Sequence, residues 1–325
     1  MGRPEVEVVH VGAATRDLAD DDPRGWRLGG GVSYAALTTA RLGLATGAVI
    51  GLDAEASTAT ELDQLREAGV ELLVVALAEG PVFRNVDGPM GRVQTSVATG
   101  VPMPAVALPP AWRRARAWSL VPVADELGDD WAAVPDDAAV VGVAWQGMLR
   151  TLRPGHAVTQ RMPSERALLR RAELVGVSHQ DVPSATTPED LAIFLKAGAR
   201  LLLTRGIEGG LMLEVGTGDR PLRRLVRYLP TEGEPEIDPT GAGDTFLATL
   251  LAATIRPDLL GPAPHRRGAA LHFAAAAGSL AVEGVGLAGV PDLAAVLARA
   301  ARDHARRFVA PYDAQPVVVV PSAEG

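Results

Sequence analysis

Apolar residues recur along the N-terminal part of this chain with two periods that take turns. Val6, Val8, Val9 and Val11 form a short apolar run that ends at Gly12 and predicts a buried strand. Ser33 then opens a small-residue helix carrying Ala35, Ala36, Ala40 and Leu42, closed by Gly43, and Ala48-Val49-Ile50 predicts the next strand. A second helix is expected from Ala54 to Ala68, closed by Gly69 and leading into a strand from Val70 to Leu77. Strand and helix in regular succession require a parallel sheet with helices packed on its faces.

The rhythm breaks between Pro81 and Pro104, where Phe83, Asn85 and Arg92-Val93-Gln94 lie in short strand-like pieces separated by glycines and prolines. This pattern suits a small flap at the sheet's edge. The alternation then resumes with strands at Trp118 to Val123, Ala138 to Ala144 and Glu173 to Ser178. Thr187-Pro188 starts a helix with an N-cap and a first-turn proline, which Gly198 ends. Leu201-Leu202-Leu203 predicts a short buried strand with an antiparallel continuation from Leu211 to Val215. Helices from Arg267 to Glu283 and Pro291 to Arg307 follow, with an added edge strand at Val317 to Val320. Arg299, Arg302, Arg306 and Arg307 read as a solvated helix face. Without repeats or low-complexity linkers, residues 1–325 are expected to form one domain, a three-layer α/β/α sandwich with a mainly parallel central sheet. Lid segments at about 17–28 and 81–104 are inserted in it.

A hydrophobic fraction of 47% over 325 residues is ample for a buried core. The net charge of −8, from 31 basic and 39 acidic residues, argues against nucleic acid and acidic membranes as partners and for a small molecule. There are no cysteines, so disulfides, thiolate metal sites and cysteine nucleophiles are excluded. Glu5 and Glu7 stand near an N-terminus that shows no secretory pattern, and the apolar stretch Ala269 to Val282 is shorter than the about 20 helical residues a bilayer needs. The cytoplasm is the expected compartment.

Chemistry concentrates at Asp238-Pro239-Thr240-Gly241-Ala242-Gly243-Asp244-Thr245-Phe246. Phe246, Leu247, Leu250 and Leu251 recur at helical spacing, so a helix is expected from Gly241 to about Thr254. Its first N–H groups lack internal partners and, beside residues with little side chain, form an anion cradle that the helix dipole reinforces. Asp244 stands at the cradle's edge, where the dipole and nearby N–H donors are expected to keep its carboxylate ionised and available as a base. Taken alone, the motif is equally a plain strand-to-helix turn with an acid in the first helical turn.

Four features in one order resemble the ribokinase-like, or PfkB, family of carbohydrate and nucleoside kinases. They are Gly12-Ala13-Ala14-Thr15-Arg16-Asp17, then Gly29-Gly30-Gly31 leading into Ala40-Arg41-Leu42-Gly43, then Thr204-Arg205-Gly206 with Gly209, and the Asp238 to Asp244 motif. The resemblance implies a phosphotransferase with an alcohol acceptor, ATP as donor with Mg²⁺, and Asp244 as base, with the Gly241, Ala242 and Gly243 backbone as anion hole. It implies substrate contacts at Asp17 and the Gly29-Gly30 hinge, and nucleotide contacts at Thr204, Gly206 and Gly209. Ala274 to Gly278, including Ala277, with Val282 and Gly286, resemble the wall of an adenine pocket, although helix packing explains those alanines equally well. Asp238 and Thr240 match side chains that hold a monovalent cation in potassium-dependent members, which leaves K⁺ open, as the family leaves a homodimer open.

Departures from the family pattern are equally specific. Tyr34 replaces a substrate-contacting asparagine, and the Asn-x-x-Glu element tied to the magnesium environment is Ser178-His179-Gln180-Asp181, retaining only its acid at Asp181. The polar stretch between Asp17 and Gly29 is short, so a reduced lid built chiefly from residues 81 to 100 is expected. Phe83-Arg84-Asn85, Arg92-Val93-Gln94, Tyr34 and Trp145-Gln146-Gly147-Met148-Leu149-Arg150 look like the branch that includes myo-inositol kinases. Asp17, Asn85 and Gln94 then offer the hydrogen bonds that a cyclic polyol or sugar needs. A nucleoside acceptor, for which Phe83, Tyr34 or Trp26 would be an aromatic platform, and a non-catalytic sugar or nucleotide sensor are the alternatives. A Rossmann dinucleotide site is discounted because no Gly-x-Gly-x-x-Gly follows the first strand.

Overall fold

A computed structural model describes residues 5–88, 91–217, 220–261 and 268–307. Its main sheet runs in the order β16 (Arg220–Tyr228), β15 (Gly210–Thr217), β14 (Arg200–Thr204), β13 (Leu174–Ser178), β9 (Val140–Ala144), β8 (Ala117–Leu120), β1 (Val8–Ala13), β4 (Thr46–Leu52), β5 (Glu71–Ala76). From β14 to β5 every pair is parallel, and β15 and β16 continue antiparallel at one edge.

Alternation along each strand distributes the side chains between two faces. Val9, Val11, Val49, Val175 and Leu201 share a core with Trp112 of α3 (Pro110–Arg113), Leu168 and Leu169 of α4 (Ala167–Arg171) and Leu191 of α5 (Pro188–Ala192). On the other face, Val8, Leu174 and Leu202 cluster with α6 (Ala242–Ile255), α7 (Ala269–Ala281) and Val296 of α8 (Leu293–Arg307). Ala48 and Ile50 cluster there with α1 (Gly31–Arg41) and α2 (Glu61–Glu67). The result is the expected α/β/α sandwich.

The chain runs from β1 to β4 and β5 on one side and then crosses to β8 on the other, so strand order reverses between β1 and β8. Ligands of open α/β sheets bind outside the carboxyl ends of strands at such a reversal. Here the two ends approach closely: a β-carbon on Gly12 would lie 2.6 Å from the Val121 carbonyl oxygen.

The lid departs from expectation. Instead of a reduced flap made chiefly from residues 81 to 100, a five-stranded sheet runs β11 (His156–Ala157), β7 (Gly91–Thr99), β6 (Pro81–Gly88), β2 (Thr15–Leu18), β3 (Trp26–Gly29). The 17–28 segment was too polar to show an apolar period; its strands are held by pairing, β2 antiparallel to β3 and parallel to β6. Ion pairs fasten this edge to the body, Arg16 to Asp53 at 3.0 Å and Arg24 to Glu61 at 2.7 Å. A small separate pair joins β10 (Arg150–Thr151) to β12 (Thr159–Gln160).

Three further expectations are corrected. The helix from Ala54 to Ala68 is broken into a 3-10 turn at Ala56–Thr58 and α2, because the Asp53 carboxylate takes the Ala56 N–H at 2.7 Å and starts a separate turn. The helix capped by Thr187 stops at Ala192, short of Gly198. Arg299 is not on a solvated face: it is 4% exposed and paired with Glu283 at 2.9 Å. The expected strand at Val317 to Val320 lies outside the described residues.

Candidate active site

The start of α6 fixes the centre of the site. Gly241 adopts φ +78, a left-handed turn that suits glycine, and the first intrahelical bond runs from Thr245 N–H to the Gly241 carbonyl at 2.8 Å. The Ala242 N–H is engaged by the Pro239 carbonyl at 3.3 Å. Gly243 is exposed, and a β-carbon there would meet nothing within 4 Å, so its surface opens freely on the space in front of the helix. Gly241 is walled instead: a β-carbon on it would lie 2.1 Å from Cδ1 of Tyr34. Tyr34 is buried beneath the turn, and burial raises its hydroxyl, with Asp17, Asp238 and Asp244 adding to the rise.

That space is a cavity of about 940 Å³, at the upper end of the size range of small-molecule sites. Asp17, Phe83, Asn85 and Gln94 line it from the lid; Thr204, Gly206 and Gly209 line it beyond β14; Asp244 and Asp181 stand with the central residues. Asp17, Asn85 and Gln94 thus converge on one pocket with Asp244. Lid register brings two of them together, since Asn85 pairs with Gln94 across β6 and β7 and the Gln94 amide donates to Asn85 Oδ1 at 2.9 Å. Gly30 lines the cavity, whereas Gly29 acts beneath it: a β-carbon there would stand 2.2 Å from Asp17 Oδ2.

The Asp244 carboxyl is less acidic than its helix position implies. Burial pushes the Asp244 carboxyl up from 3.8 to about 6; Arg150 opposes this and Asp181 adds to it. Desolvation is the largest of these causes and runs against the ionised state expected from the helix start. The carboxylate is nonetheless mostly ionised at pH 7. Asp181 is also raised by burial, against Arg150, the Ser178 N–H and the Gln146 side chain.

Helical spacing decides what α7 presents. Ala275, Gly278 and Ser279, with Val282 just beyond, line the cavity, while Ala277 is packed in the core with α6 and α8. Arg205 is exposed and absent from the lining, and Trp26 is buried beneath Arg24 at 4.7 Å, outside the cavity. Sequence reasoning did not single out Gly31, Arg150, Ser279 or Glu283 as site residues, and all four line the cavity. Arg150 ends the run Trp145-Gln146-Gly147-Met148-Leu149-Arg150, and a charge beside its apolar residues is the signal that could have found it.

Two ions implied by the family pattern fit the residues differently. Asp238 Oδ1 accepts from Thr240 N at 3.0 Å and Thr240 Oγ1 at 2.6 Å, and Oδ2 accepts from Gly286 N at 3.1 Å. These bonds brace the turn before α6 against the segment after α7, and Asp238 and Thr240 are the side chains that would hold a monovalent cation there. For Mg²⁺, Asp181 faces the cavity but is already contacted by Arg150, Ser178 and Gln146. Among the described residues no group of three His, Cys, Asp or Glu could hold a metal. Asp181, at the position of the family pattern's acid, is the residue that would hold such an ion.

No protein-family model and no curated protein matches the chain. Solved structures do. A pyrophosphate-dependent kinase in the ribokinase family, complexed with a pyrophosphate analogue and myo-inositol, superimposes with TM-score 0.65 at 19% identity over 86% of this chain and 96% of its own. Arabidopsis thaliana ribokinase with ribose and ATP gives 0.63 at 18% over 91% and 98%. Methanocaldococcus jannaschii nucleoside kinase gives 0.62 at 13% over 92% and 99%. At these identities the shared property is the ribokinase-like fold. No helix among the described residues is long and apolar enough to cross a membrane.

Proposed function

We propose that this protein is a kinase that transfers the γ-phosphoryl group of ATP to a hydroxyl of a sugar or polyol, such as an inositol. One observation carries the reading: Asp244, beside the open Gly243 surface at the start of α6, faces the same cavity as Asp17 and the Asn85–Gln94 pair. A carboxylate and an amide pair suit an acceptor rich in hydroxyls.

Asp17 and the amide pair hold the acceptor with one hydroxyl directed at Asp244. Asp244 takes the hydroxyl proton as the acceptor oxygen bonds to the γ-phosphorus. The bond from that phosphorus to the β–γ bridging oxygen breaks, and ADP leaves with the electron pair. N–H groups at the start of α6 stabilise the charge on the transferring oxygens, chiefly that of Gly243, since the Ala242 N–H is shared with Pro239. Magnesium on the donor phosphates would neutralise part of their charge. Thr204, Gly206 and Gly209 flank the donor, and Gly278 leaves room for a flat base.

The test is product formation from ATP across myo-inositol and other polyols, pentoses, hexoses and nucleosides, read by ³¹P NMR. Inorganic pyrophosphate is run as a parallel donor because three structural neighbours are named for it. A phosphomonoester of a polyol or sugar supports the reading. Turnover of nucleosides alone moves the acceptor class, and binding without product across the panel replaces the enzyme with a sensor.

A further inference from the structure

Arg150 is the only arginine or lysine that lines the cavity among the described residues, against six acids: Asp17, Asp181, Glu234, Glu236, Asp244 and Glu283. A guanidinium taken out of water is retained when its donors are met, and it has five of them. Arg150 has 13% of its side chain exposed, and its one ion pair among the described residues is to Asp181, with Nη2 3.8 Å from Oδ1. Asp181 itself is turned toward Ser178 and Gln146.

The mount beneath Arg150 is built with care on both sides. Arg150 pairs with Gln160 in the β10–β12 ladder, and the Gln160 amide donates to the carbonyls of Gln180 and Val182 at 2.8 Å each, straddling Asp181. One side chain thereby locks the strand bearing the guanidinium to the loop bearing its acid. Asp181, Asp244 and Asp17, which line the same cavity, all act on the charge of Arg150. A cavity of this sign repels a polyphosphate unless a cation meets it where the phosphates seat.

We propose that Arg150 is a catalytic residue that grips the oxygens of the transferring phosphoryl group, forming the cationic half of an anion site whose other half is the N-terminus of α6. This rests on the kinase reading above. During transfer the guanidinium makes and breaks no covalent bond; it neutralises charge on the equatorial oxygens while the proton goes to Asp244 and the electron pair to the leaving phosphate. Its planar fork suits two such oxygens, which a lysine cannot match.

The experiment compares wild type with Arg150→Met, Arg150→Lys, Arg150→Ala and the charge-balanced double variant Arg150→Met/Asp181→Asn, each checked for folding by circular dichroism. Losing one such donor typically costs about 10²–10³ in kcat. That loss is expected for Arg150→Met and for the double variant, with acceptor KM within about threefold, a smaller loss for Arg150→Lys, and partial rescue of Arg150→Ala by added guanidinium. Calorimetric titration with inorganic tripolyphosphate gives a readout that needs no turnover: affinity should fall at least about tenfold in the folded double variant, a difference of about 1.4 kcal/mol. If no acceptor is turned over by wild type, the kinase reading fails while the titration still decides the anion site. Unchanged tripolyphosphate affinity, or a folded double variant with near-normal kcat, overturns the proposal; so does a variant in which acceptor KM alone rises.

Discussion

A β-carbon built on Gly31 would stand 2.7 Å from Oδ1 of Asp244 and 3.1 Å from its Cγ, so the first residue of α1 is shaped around the carboxylate in the first turn of α6. The same relation recurs between Gly29 and Asp17. Gly30, between them, has φ +89 and needs glycine for its backbone as well. The triple-glycine run is therefore the floor on which both acids rest, and α1 and α6 locate each other through it.

Substituting Gly31→Ala tests that relation. The added methyl must push Asp244 aside by several tenths of an ångström, whereas alanine favours the helix itself. A displacement of about 1 Å at a reacting group can cost about 10²-fold in rate. The expected outcome is a kcat lower by about 10-fold to 10²-fold with a thermal midpoint within a few degrees of wild type. Steady-state kinetics with a melting curve checks it, and kcat within twofold of wild type would show that Asp244 is not held by this contact.

Asp244 itself links activity, pH and stability. In its proposed role as base it must be ionised, so kcat/KM should rise about tenfold per pH unit below pH 6 and level above it. Stability runs the opposite way. The folded-state pKa is raised, so as pH climbs from 3.8 the unfolded chain ionises before the folded one and the native state loses stability until about pH 6. The cost at neutral pH is about 3 kcal/mol. Asp244→Asn should therefore melt higher than wild type at pH 7, lose that advantage at pH 4, and turn over about 10²–10⁴-fold more slowly. Melting curves at the two pH values with a pH–rate profile measure all three, and equal midpoints at pH 7 would remove the burial cost.

What the chain disclosed locally was what its local pattern encodes. The glycine-led start of α6, the Thr187 N-cap and the alternating strands of the main sheet each rest on neighbours in sequence, and each stands in the structure. Thr15–Leu18 and Trp26–Gly29 became lid strands through partners elsewhere, which no local period announces. Arg299 was hidden for the same reason: its burial depends on Glu283, on a different part of the fold. The acidity of Asp244 likewise depends on how much protein surrounds it, so the motif revealed the residue's identity and place but set its pKa in the wrong direction.

Asp17→Asn separates acceptor binding from the transfer step. The substitution removes a charge that seats against Gly29 and near Thr15 Oγ1, at 3.1 Å, without altering size. Hydrogen bonds to a charged group contribute about 1.5–3 kcal/mol. Acceptor KM should rise by about 10-fold to 10²-fold while donor affinity is unchanged. An equal effect on donor affinity would place Asp17 outside the acceptor end.

The far end of the cavity depends on a buried charge pair. Glu283 Oε1 accepts the Glu234 N–H at 2.9 Å and also lies 2.9 Å from Arg299, so it ties the 231–236 segment, which lines the cavity, to α8. A β-carbon on Gly233 would be 2.1 Å from Glu283 Oε1, which shows how closely the segment is drawn onto the pair. Breaking a buried ion pair from one side typically costs about 3–5 kcal/mol, whereas replacing both members with apolar residues is often neutral. Glu283→Gln should therefore destabilise by up to that amount and raise donor KM, with acceptor KM little changed. Glu283→Leu/Arg299→Met should recover most of the stability while donor KM stays high, because leucine cannot hold the Glu234 N–H. Denaturant unfolding with donor and acceptor titrations checks the prediction, and recovery of donor KM along with stability in the double variant would show that the pair serves packing alone.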